Sequence, residues 1–579
     1  MVVHKLTNMK KHLLSLLALI AATTAWACTN LIVGKDASTD GSTIISYAAD
    51  SYSNYGFLDF QPAADHQPGD MRKVYDWDCG RYQLSLPQPA HTYSVIGNMN
   101  EHQLTIGETT WGGREALWDT VGVDYGSLIY IALQRCKTAR EAILFMVTLV
   151  EQYGYASEGE TFSIGDPNEV WIMDMIGKGE GNKGANWVAV RIPDDCICAH
   201  ANQARITTLP VGQKLKVESL KFKDASAHNG KSHTVKYMTT ADGNWMWSKD
   251  VIDFARQKGF FTGKDKDFSY QAAYNPYDFS GLYVCEARVW SFFRHFSDDM
   301  DKYFDFATGK TFVETNGQYE GEHMPLWIRP NRKVSVRDIQ HCMQDQYEGT
   351  PLDITQGLDA GPWHTKLRYG GLSFKVDSVK YWYERPIATQ QTAWSFVAQM
   401  RGYADPKVGG IFWFAVDDAA TSVYMPLYCT INAIPECLKE GNGDLFTYSP
   451  TSAWWAFNFV ANWAYTKYDR MKPEIEVEQA KWEDKFFTQT ATIDEKVANM
   501  TEEQAREFLT SYSCAQAENL VKAWKDLEIY LKVKYIDGQE RKMENGQFKR
   551  NAYGQPVGPN RLPLPNEFLQ SIKHQIDHE

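Results

Sequence analysis

Two β-branched apolar runs, "CTNLIVG" and "STIISYA", flank "KDASTDG", whose Asp40-Gly41 pair is a strong turn signal. The pattern predicts an antiparallel hairpin that begins at Cys28 itself, so a thiol is held at the head of a sheet strand. The residues before it are of another kind. Lys5, Lys10 and Lys11 lead into "LLSLLALIAA" (Leu13 to Ala22), which is too short to span a bilayer, and "AWA" places small residues where a signal peptidase reads. Residues 1–27 are therefore expected to be an export signal, cut after Ala27 by signal peptidase, with the mature protein in the periplasm or outside the cell. A lipid-modified Cys28 competes with this reading, but that pattern usually has Leu at the position of Ala25 and a small residue at that of Trp26.

Further along, strands and helices come in blocks. "HTYSVIGNMNEHQLTIGETTW" (His91 to Trp111) reads as strand, bend and strand, with the bend at Asn98 to Glu101. "YGSLIYIALQRCKTAREAILFMVTLVEQYGY" carries apolar residues at helical spacing on both sides of "CKT", which suits two packed helices. Strands return in "TFSIGDPNEVWIMDMIG" and "NWVAVRIPDDCICAHANQARI". The middle, from about Leu209 to Ser280, reads as loop-rich, with helical pieces such as "DVIDFARQKGF". Later hairpins are expected in "RYGGLSFKVDSVKYWYERPI" and "GGIFWFAVDDAATSVYMPLY", and helices from about Ser452 to Tyr535, whose aromatic stripe suits packing against the sheets. This order implies an α+β layered protein rather than strict βαβ alternation. The expected division is a catalytic domain over 28–450 and a mostly helical extension over 451–579 packed on it.

Composition narrows the chemistry. With 44% hydrophobic and 23% charged residues the chain is of globular type, and a net charge of -13 without a basic stripe argues against nucleic acid as a partner. No apolar run after the leader is long enough for a membrane span. Ten cysteines in 579 residues do not make a disulfide scaffold, although Cys429 and Cys437 flank "TINAIPE" and could close a short loop. Cys196, Cys198 and His200 alternate in "CICAH" and would share one strand face, but no fourth zinc ligand is evident, so no metal and no cofactor is expected. There is no HExxH helix, no GxSxG elbow, and "GKGEGNKG" lacks the phosphate-loop pattern.

A thiolate needs a base close by. Removal of the leader would free the α-amine of Cys28, whose ordinary pKa of roughly 7.7–8.0 suits proton exchange near neutrality, so nucleophile and base would share one residue. This is the logic of N-terminal-nucleophile hydrolases. The segments "CTNLIVGKDASTDGSTIISYAAD", "NEHQLTIGETT", "GDPNEVWIMDMIG" and "VRIPDDCICAHANQARI" together resemble the dipeptidase A family of cysteine peptidases, relatives of penicillin V acylase and bile salt hydrolase. The likeness continues through "YVCEARVWSFFRHF" and "TAWSFVAQMR" to "WWAFNFVANWAYTKY", most of the chain after the leader.

The resemblance implies a four-layer αββα sandwich and a dipeptidase acting through a thioester acyl-enzyme. It implies Cys28 as nucleophile, Asp50 as the acid that orients its amine or thiol, Asn202 as an oxyanion donor, the Asn100-Glu101 turn as the source of a backbone N–H, and Arg288 as a cation near the nucleophile. One departure stands out, because Tyr47 lies three residues before the acid where the family has Arg. Two alternatives stay open: an amidase of N-acylated small molecules, and a non-catalytic lipid-anchored binding protein. The expected partners are a dipeptide or small amide substrate and signal peptidase, with a homo-oligomer left open.

Overall fold

The computed structural model describes residues 28–223, 232–310, 312–313, 318–319, 322–369 and 371–576, so the expected export signal at 1–27 lies outside the described residues. The predicted hairpin forms: β1 (Thr29–Val33) pairs antiparallel with β2 (Thr43–Asp50), Ile32 opposite Ile45. Every residue of both strands is buried, so the sequence shows apolar runs instead of clean alternation.

The hairpin is the centre of a seven-stranded sheet ordered Trp327–Ile328, Ile197–His200, β1, β2, Thr392–Met400, Gly410–Val416 and Met425–Tyr428. A second sheet has ten strands. Its long members run Leu215–Lys223, Ser232–Thr240, Trp245–Ser248, Ala185–Arg191, Val170–Gly177, Gly159–Gly165 and Thr105–Trp111, and three two-residue strands complete it.

Polar side chains tie the two sheets together. The Asn30 amide on β1 meets Ser163 Oγ at 3.1 Å and, oriented to match donors with acceptors, the backbone N–H and C=O of Glu108 at 3.0 and 2.8 Å. Thr43 donates to the carbonyl of Asp166 at 2.6 Å. His200 shares hydrogen bonds with Thr109 through Nδ1 and with Ser163 through Nε2, both at 2.6 Å. Burial and the nearby Arg205 and Arg288 hold its pKa well below the ordinary value, so the ring is neutral.

The expected helical pair spans Tyr125–Leu133 and Ala139–Tyr153. Each helix starts where its sequence provides a cap: Asp124 accepts from the Ser127 N–H, and Thr138 with Glu141 forms a reciprocal capping box. Leu128, Ile143 and Met146 then cluster with Phe162, Trp171 and Met173 of the ten-stranded sheet. Alternate residues on the same strand, Ile172 and Ile176, belong to the core shared with the seven-stranded sheet. Helices Ala453–Ala464, Tyr468–Val497 and Glu502–Lys534 cover the far edge of the seven-stranded sheet. There the Trp413 and Phe487 rings stack at 4.8 Å, and Gln479 donates to the carbonyls of Ala420 and Ser422 at 3.2 and 2.7 Å. The molecule is thus α+β, and no helix among the described residues is long and apolar enough to cross a membrane.

Three local expectations differ from the structure. The supposedly loop-rich middle contains the nine-residue strands Leu215–Lys223 and Ser232–Thr240, which extend the ten-stranded sheet. Their alternation is diluted by lysines at the edge of the sheet, as edge strands commonly are. The bend at Asn98 to Glu101 is two reversals, because Met99–Asn100 is itself a short strand pairing with Val95–Ile96 on one side and Thr105 on the other. Cys429 and Cys437 are both free: Cys429 Sγ lies 3.9 Å from the Glu101 carbonyl, while the Cys437 N–H donates to Glu518.

Gly159 leaves room for the Trp111 indole of the neighbouring strand, which a Cβ at that position would strike. Gly159→Ala is expected to destabilise the protein by about 1–3 kcal/mol through overpacking. A lowered thermal midpoint with an unchanged circular-dichroism spectrum would show it, and an unchanged midpoint would contradict the packing described.

Candidate active site

Cys28 is 2% exposed, and its surroundings come from four parts of the chain. Its Sγ lies 3.5 Å from the Tyr47 hydroxyl and 3.8 Å from Glu108 Oε1, and the backbone N–H of Asp50 also reaches the thiol. Burial pushes the thiol pKa well up, and the Glu108 and Asp50 carboxylates push the same way. The Tyr47 and Asp50 hydrogen bonds oppose that rise without cancelling it. The thiol is therefore held protonated at neutral pH until a base takes its proton.

Arg288 assembles the other side. Its Nη1 donates to the Cys28 carbonyl at 2.6 Å and to Thr29 Oγ1 at 2.8 Å; its Nη2 donates to the Ala201 carbonyl at 3.1 Å and to Asn202 Oδ1 at 3.0 Å. The planar fork of donors makes this four-way grip possible, which a lysine could not reproduce. A wide π-type turn over Gly281–Glu286 leads into the helix that carries Arg288, and buried Glu286 pairs with Arg205 at 2.9 Å. Arg205 also donates to the Ala199 carbonyl, so the "HANQAR" loop and the Arg288 helix are locked together.

Asn202 sits at the crest of that loop with a positive φ of 60°, a conformation asparagine tolerates better than most residues. One amide N–H donates to the Thr110 carbonyl at 2.6 Å. Asn100 is engaged elsewhere: its side chain donates to the carbonyls of Leu133 and Cys136 and accepts from the N–H groups of His102 and Leu104, while its own N–H donates to Leu104. The Glu101 N–H donates to the Ser94 carbonyl. The structure thus gathers Cys28, Asp50, Arg288 and Asn202, and uses Asn100 to pin the short strand to the helical pair.

Asp50 ends β2, buried, with Arg385 Nη2 at 2.6 Å on Oδ2 and the Thr392 hydroxyl at 2.6 Å on Oδ1. Burial raises the Asp50 pKa although Arg385 and Thr392 pull it down. Arg385 supplies Asp50 with a cation from a segment 335 residues away. Its only signal in the sequence is the Glu384-Arg385 pair within the aromatic "YWYERPI" stretch.

Tyr47 fills the other gap. Its hydroxyl donates to Glu108 Oε1 at 2.5 Å, and Glu108 in turn faces Glu160. Burial raises both carboxyls, and the Glu108 charge adds to the rise at Glu160. One proton shared between the two carboxyls would supply a partner for Glu108 Oε2 and Glu160 Oε1, which otherwise have none among the described residues. Both acids were legible only as charges inside strand patterns.

Beside this cluster opens a cavity of about 400 Å³. Tyr47 and Ala49 of β2 form part of its wall, with Tyr125, Trp394 and Phe414. Cys196, Cys198 and His200 do not form a metal site, since the His200 ring is fully hydrogen-bonded, and no group of three or more metal-ligating side chains occurs among the described residues.

The sequence profile of peptidase family C69 matches residues 27–96 and 85–481, most of the chain and every residue of this cluster. The chain belongs to peptidase family C69. That membership agrees with the resemblance to the dipeptidase A family of cysteine peptidases and makes the protein a hydrolase of peptide bonds. A "Probable dipeptidase" of Salmonella dublin is 24% identical over 441 residues, 72% of this chain and 85% of the relative. A "Probable dipeptidase" of Latilactobacillus sakei is 24% identical over 532 residues, 86% of this chain and 94% of the relative. A "Dipeptidase" of Bifidobacterium longum is 23% identical over 509 residues, 82% of this chain and 84% of the relative.

Two outcomes follow from the electrostatics of this peptidase. Glu108→Gln removes a negative charge that raises the thiol pKa, so alkylation of Cys28 by iodoacetamide should become faster and its pH midpoint move down; an unmoved midpoint would contradict the assigned field. Arg385→Met leaves the Asp50 carboxylate buried without its cation and should cost about 3–5 kcal/mol of stability. Adding Asp50→Asn should recover part of that loss in thermal melts, because the uncompensated charge is gone.

Proposed function

We propose that this C69 peptidase is an exported dipeptidase whose nucleophile is Cys28, made N-terminal when the leader is removed. The reading is supported by the names of its relatives and, above all, by one observation: Arg288 grips the Cys28 carbonyl while the thiol faces Tyr47, a residue that also walls the cavity. The two facing sheets with helices outside them fit the four-layer αββα sandwich of N-terminal-nucleophile hydrolases.

In this mechanism the free α-amine of Cys28 takes the thiol proton, which burial and then the acidic surroundings otherwise keep on sulfur. The thiolate attacks the scissile carbonyl, and the second amide N–H of Asn202 meets the developing oxyanion. The Cys28 ammonium protonates the departing amine, and water then hydrolyses the thioester. Asp50, held by Arg385, sets the position of the nucleophile through its backbone N–H and balances the ammonium. Arg288 keeps the Cys28 backbone fixed while its side chain reacts.

Cys28→Ala should abolish dipeptide hydrolysis while leaving the melting curve near that of wild type, and N-terminal sequencing of the active protein should begin at Cys28. Full activity in that variant, or an active protein that starts elsewhere, would overturn the mechanism. Hydrolysis of N-acyl amides in preference to dipeptides would move the assignment to an acylase.

A further inference from the structure

Resting on the dipeptidase reading, we infer that the cavity beside Cys28 receives the N-terminal residue of the dipeptide, its α-ammonium between Asp78 and Asn98 and its side chain against the aromatic wall. Every charged residue that lines the cavity is acidic: Asp59, Asp78 and Glu440. Acidic residues alone would not identify a ligand. Asn98 adds an independent observation, since it lines the same cavity, is 4% exposed, and has its Nδ2 committed to the Ile106 carbonyl at 2.7 Å. That bond orients the amide and leaves Oδ1 a buried acceptor with no donor among the described residues. The cavity therefore wants a cation rich in donors, and an ammonium group has three donors and no acceptor.

Position agrees with charge. The α-amine of a dipeptide is one carbon from the scissile carbonyl, so its site must adjoin the nucleophile. Asp78 Oδ1 accepts from the Tyr125 hydroxyl at 2.8 Å, and Tyr125 lies within electrostatic reach of Cys28. Burial lifts Asp78 to about 7, the largest other influences on it are the Tyr125 phenol and the carboxyls of Asp76, Glu108 and Asp124, and among the described residues no cation is paired with it. Trp77 and Tyr130, with ring centroids 4.9 Å apart, and Trp394 and Phe414 provide flat walls for an apolar side chain. The volume of about 400 Å³ is ample for one amino-acid residue.

The same charges orient the substrate. The carboxylate of a dipeptide is repelled from this wall, so the amine end enters and the C-terminal residue leaves first. An N-acyl amide would bring an uncharged group against three carboxyls and leave Asn98 unpaired.

The test compares kcat/KM for Phe-Ala, N-acetyl-Phe-Ala and phenylpropionyl-Ala, which share a leaving group and differ at the amine. Wild type should favour Phe-Ala over phenylpropionyl-Ala by roughly 10–100-fold, the range of one or two hydrogen bonds to a charged group. Asp78→Asn, which keeps an acceptor for Tyr125, should shrink that ratio about tenfold or more. Glu440→Gln, at the exposed mouth, should shrink it less. A merely structural lesion would lower both rates together and leave the ratio intact. Equal rates on Phe-Ala and phenylpropionyl-Ala in wild type, or an undiminished ratio in Asp78→Asn, would overturn the ammonium site while leaving a hydrolase. Hydrolysis of none of the three would overturn the dipeptidase reading beneath it as well.

Discussion

The grip of Arg288 on the Cys28 carbonyl is the interaction on which the site depends. One buried guanidinium joins the head of β1 to the Asn202 loop, and its helix is tied in turn to that loop by the Arg205–Glu286 pair. A charge so deep in the protein is tolerated because its donors meet three carbonyl oxygens of the backbone, two side-chain oxygens and the field of Asp50. The arrangement fixes backbone atoms around the side chain proposed as nucleophile.

The second organising element is the excess of acid around the thiol. Most activated cysteines sit beside cations that lower their pKa. Here Glu108, Glu160, Asp50 and Asp78 lie nearby, and among the described residues only Asp50 has a guanidinium bonded to it. Such a field favours a neutral thiol and a charged amine, in keeping with the proposal that the Cys28 nitrogen accepts the proton. Tyr47 fits the same scheme, since it carries the hydrogen bond between sulfur and Glu108 without adding positive charge.

Much of the local structure could be read from the chain. The hairpin at Cys28, the capped helical pair and the helical tail all declare themselves by period and by caps at Asp124 and Thr138. The gathering of Cys28, Asp50, Asn202 and Arg288 was implied by resemblance and not by spacing, because the contacts are set by which strands become neighbours. Arg385 and Glu108 show the limit. Nothing in "YWYERPI" says that its arginine meets Asp50, and the Glu in "TIGETT" becomes informative only when β2 lies across it. Edge strands such as Leu215–Lys223 are hidden in the sequence because a solvated edge tolerates lysines that blur the alternation.

The tail helices have a role beyond enlarging the core. Met425–Tyr428 is the last strand of the seven-stranded sheet, and its outer side would be an open edge. Pro426 offers no N–H there, and its carbonyl is taken by the Ser513 hydroxyl of the Glu502–Lys534 helix at 3.2 Å. A chain shortened before these helices would present bare strand backbone and the Trp413 face together, and would be prone to stick to copies of itself.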